Sequence, residues 1–468
     1  MARSPGSPGS PPADGGLGRP QPAGEDFSRA ATGTGQHLDR PPCGSRVMAT
    51  PEWIVDAINT PGVIAAKLWL RGGSGRDPLG QRGAHQLLGS SLTRGCGPYD
   101  HLQVADLVEG CGAGLRCDTH EDGILISLKC QDRDARRLLP LLGWMLADPH
   151  LAEEQVELER DLSLQALQRQ QEDPFHRAHD CWRQLAYGGG PYGHDPLGIA
   201  AELDTLDAQT LRPLAGTLAR RQGILALSGT IPEGLLTEMQ AFQGFSEAAT
   251  ERDGSGATGL PPREETDRSE RVGLQPLDTE QVVIMLGQPT LPHGHADDLA
   301  LRMLQAHLGV GMTSVLFRRL REEHGVAYDV GIHHPARAGA APFVLHASSS
   351  AERAALSLRL LQEAWDDLAQ RPLTADDMTL AAAKIRGQIA HATQTSGQRA
   401  ERRAQLRALG LADDYDHTSL ERLATLEPEQ LRRAAERHLD RPLLSLCGRS
   451  AVIDSLASEW SRRAQRSC

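Results

Sequence analysis

His85 is the residue of this chain whose type and position point most directly to chemistry. It lies within residues 83–90, which read GAHQLLGS. A zinc site of the H-x-x-E-H type needs two imidazoles four residues apart on one helical face, so that both reach one ion, and a carboxylate that activates the bound water. Here Leu88 stands at the carboxylate position and Gly89 at the second imidazole position. We therefore predict that His85 is a packed or surface helix histidine.

Other candidate centres carry weaker signals. His333 and His334 have His324 nearby, and Cys117 is followed by His120. Neither group has the i, i+4 spacing and carboxylate partner of a helical metal site, so ordinary loop or strand positions are predicted. The chain contains no Gly-rich phosphate loop with its lysine and no G-x-S-x-G elbow. A Ser–His–Asp arrangement remains open on composition alone.

The charge balance argues against nucleic acid as a partner. The 468 residues carry a formal net charge of −12, which does not favour a phosphate-binding surface. One basic run does occur, and its arginines alternate with Ala, Glu and Gln. This run, which comprises Arg399, Arg402, Arg403 and Arg407, is predicted to be a solvated helix face.

The cysteines and the apolar runs indicate a compartment. The eight cysteines form no C-x-x-C pair and are typical of reduced thiols in a cytosolic protein. No apolar run approaches the roughly 18–20 residues of a membrane helix, and no hydrophobic segment follows the N-terminal charges. We expect a cytoplasmic protein without a membrane partner.

Composition breaks divide the chain into five segments. Residues 1–47 are dominated by Pro, Gly and Ser and are predicted to be a disordered tail. A second break, rich in Gly, Pro and charge, predicts a linker over 247–275. The folded sequence then comprises an N-terminal domain over 48–246 and a C-terminal domain over 276–450. Residues 451–468 are assigned to a tail.

The two folded segments read as copies of each other. Each opens with an apolar strand, Val63 to Leu70 in one and Val282 to Leu286 in the other. Each later has a helix with a central tryptophan, Trp144 or Trp365, and each closes on a short apolar strand. Strands and helix pairs that do not alternate strictly favour an α+β fold. We predict two homologous domains, each a largely antiparallel sheet covered by helices.

Several motifs make the chain resemble the pitrilysin/insulinase (inverzincin) metallopeptidase family, in particular its short two-domain subunits related to processing peptidases. Residues 70–78 (LRGGSGRDP) resemble the strand and turn before the zinc helix, and residues 171–174 and 190–193 resemble the segment after the third zinc ligand. The second-half stretch 311–328, GMTSVLFRRLREEHGVAY, is the most specific match. The resemblance covers residues 48–450.

The resemblance implies a division of labour between two subunits. The third zinc ligand of the family would correspond to Ala166, so this chain would have one ligand of three, no metal and no catalytic residue of its own. The family's substrate-binding arginine and tyrosine, seven residues apart, match Arg321 and Tyr328. A partner subunit with an intact H-x-x-E-H would then supply zinc, and the pair, each forming half of a clamshell, would cleave short or unfolded peptides.

Two other functions are compatible with the sequence. The first alternative is a purely structural module, like the family members that serve as scaffolds in larger assemblies, in which case Arg321 and Tyr328 would have no role. A stand-alone peptidase with an unrecognised site is the third reading. The sequence does not decide between a homodimer and a heterodimer, and it does not identify a substrate.

Overall fold

The computed structural model describes residues 50–242, Phe245 and residues 271–466. The predicted disordered tail over 1–47 and most of the predicted linker lie outside these residues. No helix in the described ranges is both long and apolar enough to span a membrane.

The first half contains a five-stranded sheet with the order β1-β7-β2-β6-β5 and a small β3-β4 hairpin. Its strands are β1 (Glu52–Ala57), β2 (Val63–Arg71), β3 (Gly95–Cys96), β4 (Tyr99–Asp100), β5 (Gly114–Thr119), β6 (Gly123–Gln131) and β7 (Ile224–Gly229). Its helices are α1 (Ala84–Leu92), α2 (His101–Gly110), α3 (Ala135–Leu138), α4 (Pro140–Ala147), α5 (Glu153–Glu172), α6 (Pro174–Tyr187), α7 (Ala200–Leu203), α8 (Ala208–Arg220) and α9 (Leu235–Ala241).

The second half repeats this architecture, with the strand order β8-β12-β9-β11-β10. Its strands are β8 (Val272–Pro276), β9 (Gln281–Pro289), β10 (Asp329–His333), β11 (Pro342–Ser350) and β12 (Leu443–Gly448). Its helices are α10 (Asp298–Gly309), a π-helical segment (Phe317–Glu323), α11 (Ala354–Gln370), α12 (Ala375–His391), α13 (Ser396–Ala408), α14 (Tyr415–Leu423), α15 (Pro428–His438) and α16 (Ser450–Arg466).

The two sheets have the same topology strand for strand. In each, the first strand pairs in parallel with the last, and all other pairings are antiparallel. The antiparallel pairs β2–β6 and β6–β5 correspond to β9–β11 and β11–β10. The α+β fold of two similar, helix-covered and largely antiparallel sheets is therefore confirmed.

The central strands β2 and β9 are buried along seven consecutive residues each, which requires a cover on both faces of both sheets. One face of each sheet packs on helices of its own half. The other face is covered by a helix of the opposite half, because α6 lies on β8, β9 and β12 whereas α13 lies on β1, β2 and β7. The two halves thus exchange one helix and form a single compact unit.

The basic run on α13 is not the solvated face that the sequence predicts. Arg399 and Arg403 both pair with Asp56 of β1, at 2.7 and 3.2 Å, and Arg407 pairs with Glu52 at 3.1 Å. Arg402 pairs with Asp416 within its own half. Sequence periodicity indicates an amphipathic helix. It does not indicate that the arginines of this helix pair with carboxylates of β1, more than 300 residues earlier in the sequence.

The boundaries also differ from the sequence-based expectation at three places. The parallel edge strands β1 and β8 are not among the strands that the sequence predicts. β8 begins at Val272, so the predicted linker end at residue 275 falls within a strand. Residues assigned to a C-terminal tail form helix α16, which buries Ile453, Leu456 and Trp460 against the second half.

Candidate functional site

His85 lies in the first turn of α1 and is a packed histidine, 1% exposed. Its backbone N–H and its Nδ1 both contact Oδ1 of Asp77, at 2.9 and 2.7 Å. Asp77 also accepts from the backbone N–H of Gly83 and lies 3.4 Å from Nε2 of His194. Burial raises the pKa of Asp77, but these hydrogen bonds outweigh it and hold the pKa below its usual value. The arrangement fixes the turn 72–77 to the start of α1.

The positions that would complete a zinc motif on α1 face the interior. Leu88 is fully buried in the main core of the first half. Gly89 packs against β5 so closely that an added Cβ would lie 2.7 Å from Oγ1 of Thr119 and 3.3 Å from Sγ of Cys117. Nε2 of His85, the atom that a metal would need, is buried and has no hydrogen-bond partner.

The position of the third ligand, Ala166, lies on α5, which packs beside α1. Alanine offers no donor atom. Across the described ranges, no group of three or more His, Cys, Asp or Glu side chains is placed to hold a metal ion. His85 alone, with Leu88, Gly89 and Ala166 at the other positions, does not fit a zinc ion, which requires at least three protein ligands.

Arg321 is exposed on the π-helical segment. Leu320 anchors this segment in the core, and Arg319 pairs with Asp367 of α11 at 2.9 Å. The Arg321 guanidinium lies over the ring of Phe317, 5.1 Å from its centroid, and makes no ion pair with any residue that the structure describes. A cation–π contact of this kind orients the side chain while its N–H donors stay accessible.

Tyr328 precedes β10 and is 72% exposed, so it is not the core tyrosine that a strand position alone would favour. Its backbone is fixed, because its N–H donates to the carbonyl of Ser348 at 2.8 Å. Val326, two residues earlier, is buried, and its carbonyl accepts from the hydroxyls of Ser349 and Ser357. Arg321 and Tyr328 are thus exposed donors on a rigidly held connection.

The histidine and cysteine groups that the sequence marks as weak candidates have ordinary structural roles. His333 packs edge-on against His179, with ring centroids 5.2 Å apart, and burial lowers the pKa of His333 to about 4. Nδ1 of His334 contacts the carbonyl of Pro342. His120 stacks on Trp69, and the Cys117 thiol, whose pKa is raised by burial, faces Gly89.

A polar cluster that no sequence motif indicates joins the equivalent hairpins β5–β6 and β10–β11. Arg337 pairs with Glu121 at 2.6 Å, and both side chains are largely buried. The backbone N–H of Ala338 and the hydroxyl of Tyr192 donate to Asp122, at 2.9 and 2.7 Å. Burial opposes ionisation of Glu121, but the charges of Arg337 and Arg183 and a backbone hydrogen bond together outweigh it and lower the pKa of Glu121. This cluster stabilises the contact between halves.

Comparison with known proteins gives consistent matches. Residues 225–385 match the family described as peptidase M16 inactive domain. An uncharacterized zinc protease of Streptomyces coelicolor is 24% identical over 386 residues, covering 81% of this chain and 84% of that protein. An uncharacterized zinc protease of Bacillus subtilis is 21% identical over 341 residues, covering 72% of this chain and 81% of that protein.

Solved structures share the fold. A peptidase M16 inactive domain from Pseudomonas fluorescens superposes with a TM-score of 0.77 at 19% identity, covering 86% of this chain and 96% of that one. A protease from Helicobacter pylori gives a TM-score of 0.76 at 15% identity, covering 86% and 98%. A chain of complex III2 from Candida albicans gives 0.70 at 12% identity, covering 86% and 95%.

Proposed function

The chain belongs to the pitrilysin/insulinase family of metallopeptidases, and on that premise we propose that it is the non-catalytic subunit of a two-chain zinc peptidase. A partner with an intact H-x-x-E-H motif supplies the metal and the general base. This chain supplies Arg321, Tyr328 and half of the chamber wall. The substrates are short or unfolded peptides. The free thiols of Cys96, Cys130 and Cys447 accord with a cytoplasmic location.

The observation that carries the proposal is the contrast between the two candidate sites. At the zinc position, one imidazole is sealed in the interior and the other ligands are absent. In the second half, Arg321 and Tyr328 are exposed on a connection whose backbone is held by buried neighbours. Exposure is ordinary for an arginine but not for a tyrosine beside a strand, so the exposed phenol of Tyr328 is the stronger part of this support.

The chemistry assigned to Arg321 and Tyr328 follows from their donor groups. A guanidinium and a phenol hydroxyl can donate hydrogen bonds to the carbonyl oxygen of an extended peptide, and such bonds strengthen as that oxygen gains charge. An extended peptide can also pair with the free edge of a sheet. The first sheet ends at β5, the strand beside α1, and the second at β10, directly after Tyr328.

The test is recovery of the partner, followed by reconstitution of activity. Residues 48–468 are used for affinity purification from the native host, and the recovered proteins are identified by mass spectrometry. We expect a stoichiometric partner with an intact H-x-x-E-H. The purified pair should cleave unfolded peptides and lose this activity on zinc chelation, whereas neither chain alone should be active.

Other outcomes would overturn the proposal. Recovery of an unrelated large assembly, with no partner carrying the motif, would favour a scaffold role. Peptide cleavage by this chain alone that survives chelation would indicate a stand-alone enzyme with a different site.

A further inference from the structure

We propose that the packing of α1 on β5 through Gly89 has sealed the metal position, so that restoring the three missing ligand and base side chains does not restore zinc binding. This goes beyond the proposed function, which requires only that those side chains are absent. It means that the chain has been repacked around the former site and depends on that packing for its stability.

Gly89 is the centre of the argument. Glycine within a helix is unfavourable relative to alanine, because it loses more backbone freedom on folding. Its presence in the middle of α1 needs a compensating contact, and the approach of β5 provides one. Oγ1 of Thr119 lies 2.7 Å from the position of an added Cβ, closer than real Cβ contacts allow. Thr119 is β-branched and stiff at χ1, so it cannot move aside freely.

The strand that occupies this space is also tied to the helix. The hydroxyl of Thr119 donates to the backbone carbonyl of His85 at 3.4 Å, and Cys117 presents its thiol to Gly89 from the same face of β5. An imidazole at position 89 would need the volume of both side chains. The second ligand therefore has no room unless β5 moves away from α1.

The carboxylate position is closed for a different reason. Leu88 is 0% exposed and lies among the core residues of the first half. A glutamate there would place a carboxylate in an apolar interior without a partner, which is strongly unfavourable.

His85 remains because it has a structural role. Asp77, 0% exposed at its side chain, contacts both His85 and His194. This buried carboxylate with its two imidazoles joins the turn 72–77, α1 and the segment before α7. Only Nδ1 of His85 takes part in this contact. Nε2 is buried without a hydrogen-bond partner and has no role in the repacked interior.

The first experiment restores the motif in the full chain as Leu88→Glu, Gly89→His and Ala166→Glu together. Zinc content is measured after equilibration with zinc and competition with a chromophoric chelator, and the melting temperature is measured in parallel. We expect less than about one tenth of a zinc ion per chain and a lower melting temperature. Binding of about one zinc ion per chain would overturn the inference, whatever the melting temperature.

A second experiment decides the matter if the triple variant does not fold. Gly89→Ala should lower the melting temperature by several degrees, and Thr119→Ala should recover part of that loss by removing the closest atom. Gly387→Ala is the matched control, because Gly387 is an exposed helical glycine with nothing within 4 Å of an added Cβ. It should leave the melting temperature unchanged or raise it.

Gly89→Ala that melts at or above the wild-type temperature would contradict the sealed packing. Such a result, or zinc binding by the restored variant, would leave the proposed function intact, because the natural chain would still lack the ligands. Zinc-dependent cleavage by the natural chain alone would instead overturn the proposed function.

Discussion

Trp182 donates from its indole Nε1 to the backbone carbonyl of Gly287 at 3.2 Å, and this bond runs from a helix of the first half to the central strand of the second. The reverse contact is made by Arg71 of β2, which donates to the carbonyl of Ala408 on α13 at 2.9 Å. Each half therefore completes the other's core. Separation of the halves would expose one apolar face of each sheet to water.

Cleavage of the connection between the halves should leave them associated. We expect that a protease site inserted within residues 255–260, once cut, yields two fragments that elute together at the native size, because α6 and α13 each remain bound to the opposite sheet. Size-exclusion chromatography of the cut protein checks this. Separate elution of folded fragments would show that the exchanged helices contribute little to association.

Substitution of Trp182 should destabilise the whole unit. Its side chain is fully buried between α6 and the second sheet, so Trp182→Ala should lower the free energy of unfolding by about 3–5 kcal/mol. Trp182→Phe retains a ring but leaves the Gly287 carbonyl without its donor, and a smaller loss of about 1–2 kcal/mol is expected. Urea unfolding gives both values. Leu79→Ala, at an 84% exposed position, serves as the control with little change.

The ion pairs of Asp56 should make stability depend on acid pH. The hydrogen bond from Arg399 is the largest cause that lowers the pKa of Asp56, and Arg403 and Ser228 add to it. A pKa lowered by folding stabilises the native state above the unfolded-state value of about 3.9, and this contribution is lost as the pH falls through the folded-state value.

Asp56→Asn tests this dependence. At pH 7 the variant should be less stable by about 1–3 kcal/mol. This is less than the loss of a fully buried ion pair would cost, because Arg399 and Arg403 are each about one third exposed and water screens their charges. The difference from the wild type should stay constant between pH 8 and 5 and close below about pH 4. Thermal unfolding at several pH values in this range measures the difference in stability. A difference that grows as the pH falls would mean that the ion pairs of Asp56 do not stabilise the native state.

The duplicated α+β architecture was predictable because it rests on local pattern. The apolar runs of β2, β6 and β9 and the tryptophans of α4 and α11 are signals within 10 to 20 residues. The helix exchange was not predictable, since nothing within α13 tells that Arg399 meets Asp56. The nearly continuous apolar run of β2 did indicate that both faces of the sheet are buried, and hence that helices cover both faces.

The candidate site was predictable only in its residues. The loss of the zinc motif is evident at Leu88 and Gly89, but the contact of Gly89 with Thr119 depends on how closely α1 approaches β5. Likewise, the exposure of Tyr328 depends on the tertiary contacts of Val326, which turn the chain so that the phenol points outward. Such relations arise from packing across the core, and periodicity has no information on them.

Gly73 should be intolerant of even a methyl group. An added Cβ would lie 1.9 Å from the backbone carbonyl oxygen of His120, and backbone cannot move aside as a flexible side chain can. Gly73→Ala should therefore lower the free energy of unfolding by about 2–4 kcal/mol, through strain at the turn that leads to Asp77. Gly114→Ala in β5, where nothing lies within 4 Å, should have little effect. Equal effects in thermal unfolding would contradict this explanation.

Arg321 and Tyr328 should affect turnover and not stability. In the reconstituted pair, Arg321→Ala and Tyr328→Phe should each lower kcat/KM for peptide cleavage by about 10- to 100-fold, because each removes a donor to a carbonyl whose charge increases in the transition state. Both side chains are exposed, so the melting temperature should not change. The measurement is steady-state kinetics at saturating partner concentration.

Two matched controls separate substrate binding from structure. Arg318→Ala changes another exposed arginine of the same π-helical segment and should leave kcat/KM unaltered. Tyr415→Phe removes a phenol that donates to buried Asp298 at 3.2 Å, so it should lower the melting temperature with little effect on kinetics. If Arg321→Ala and Arg318→Ala behave alike, the segment has no specific contact with substrate. The scaffold interpretation would then gain support, because exposure of Arg321 and Tyr328 would have no functional consequence.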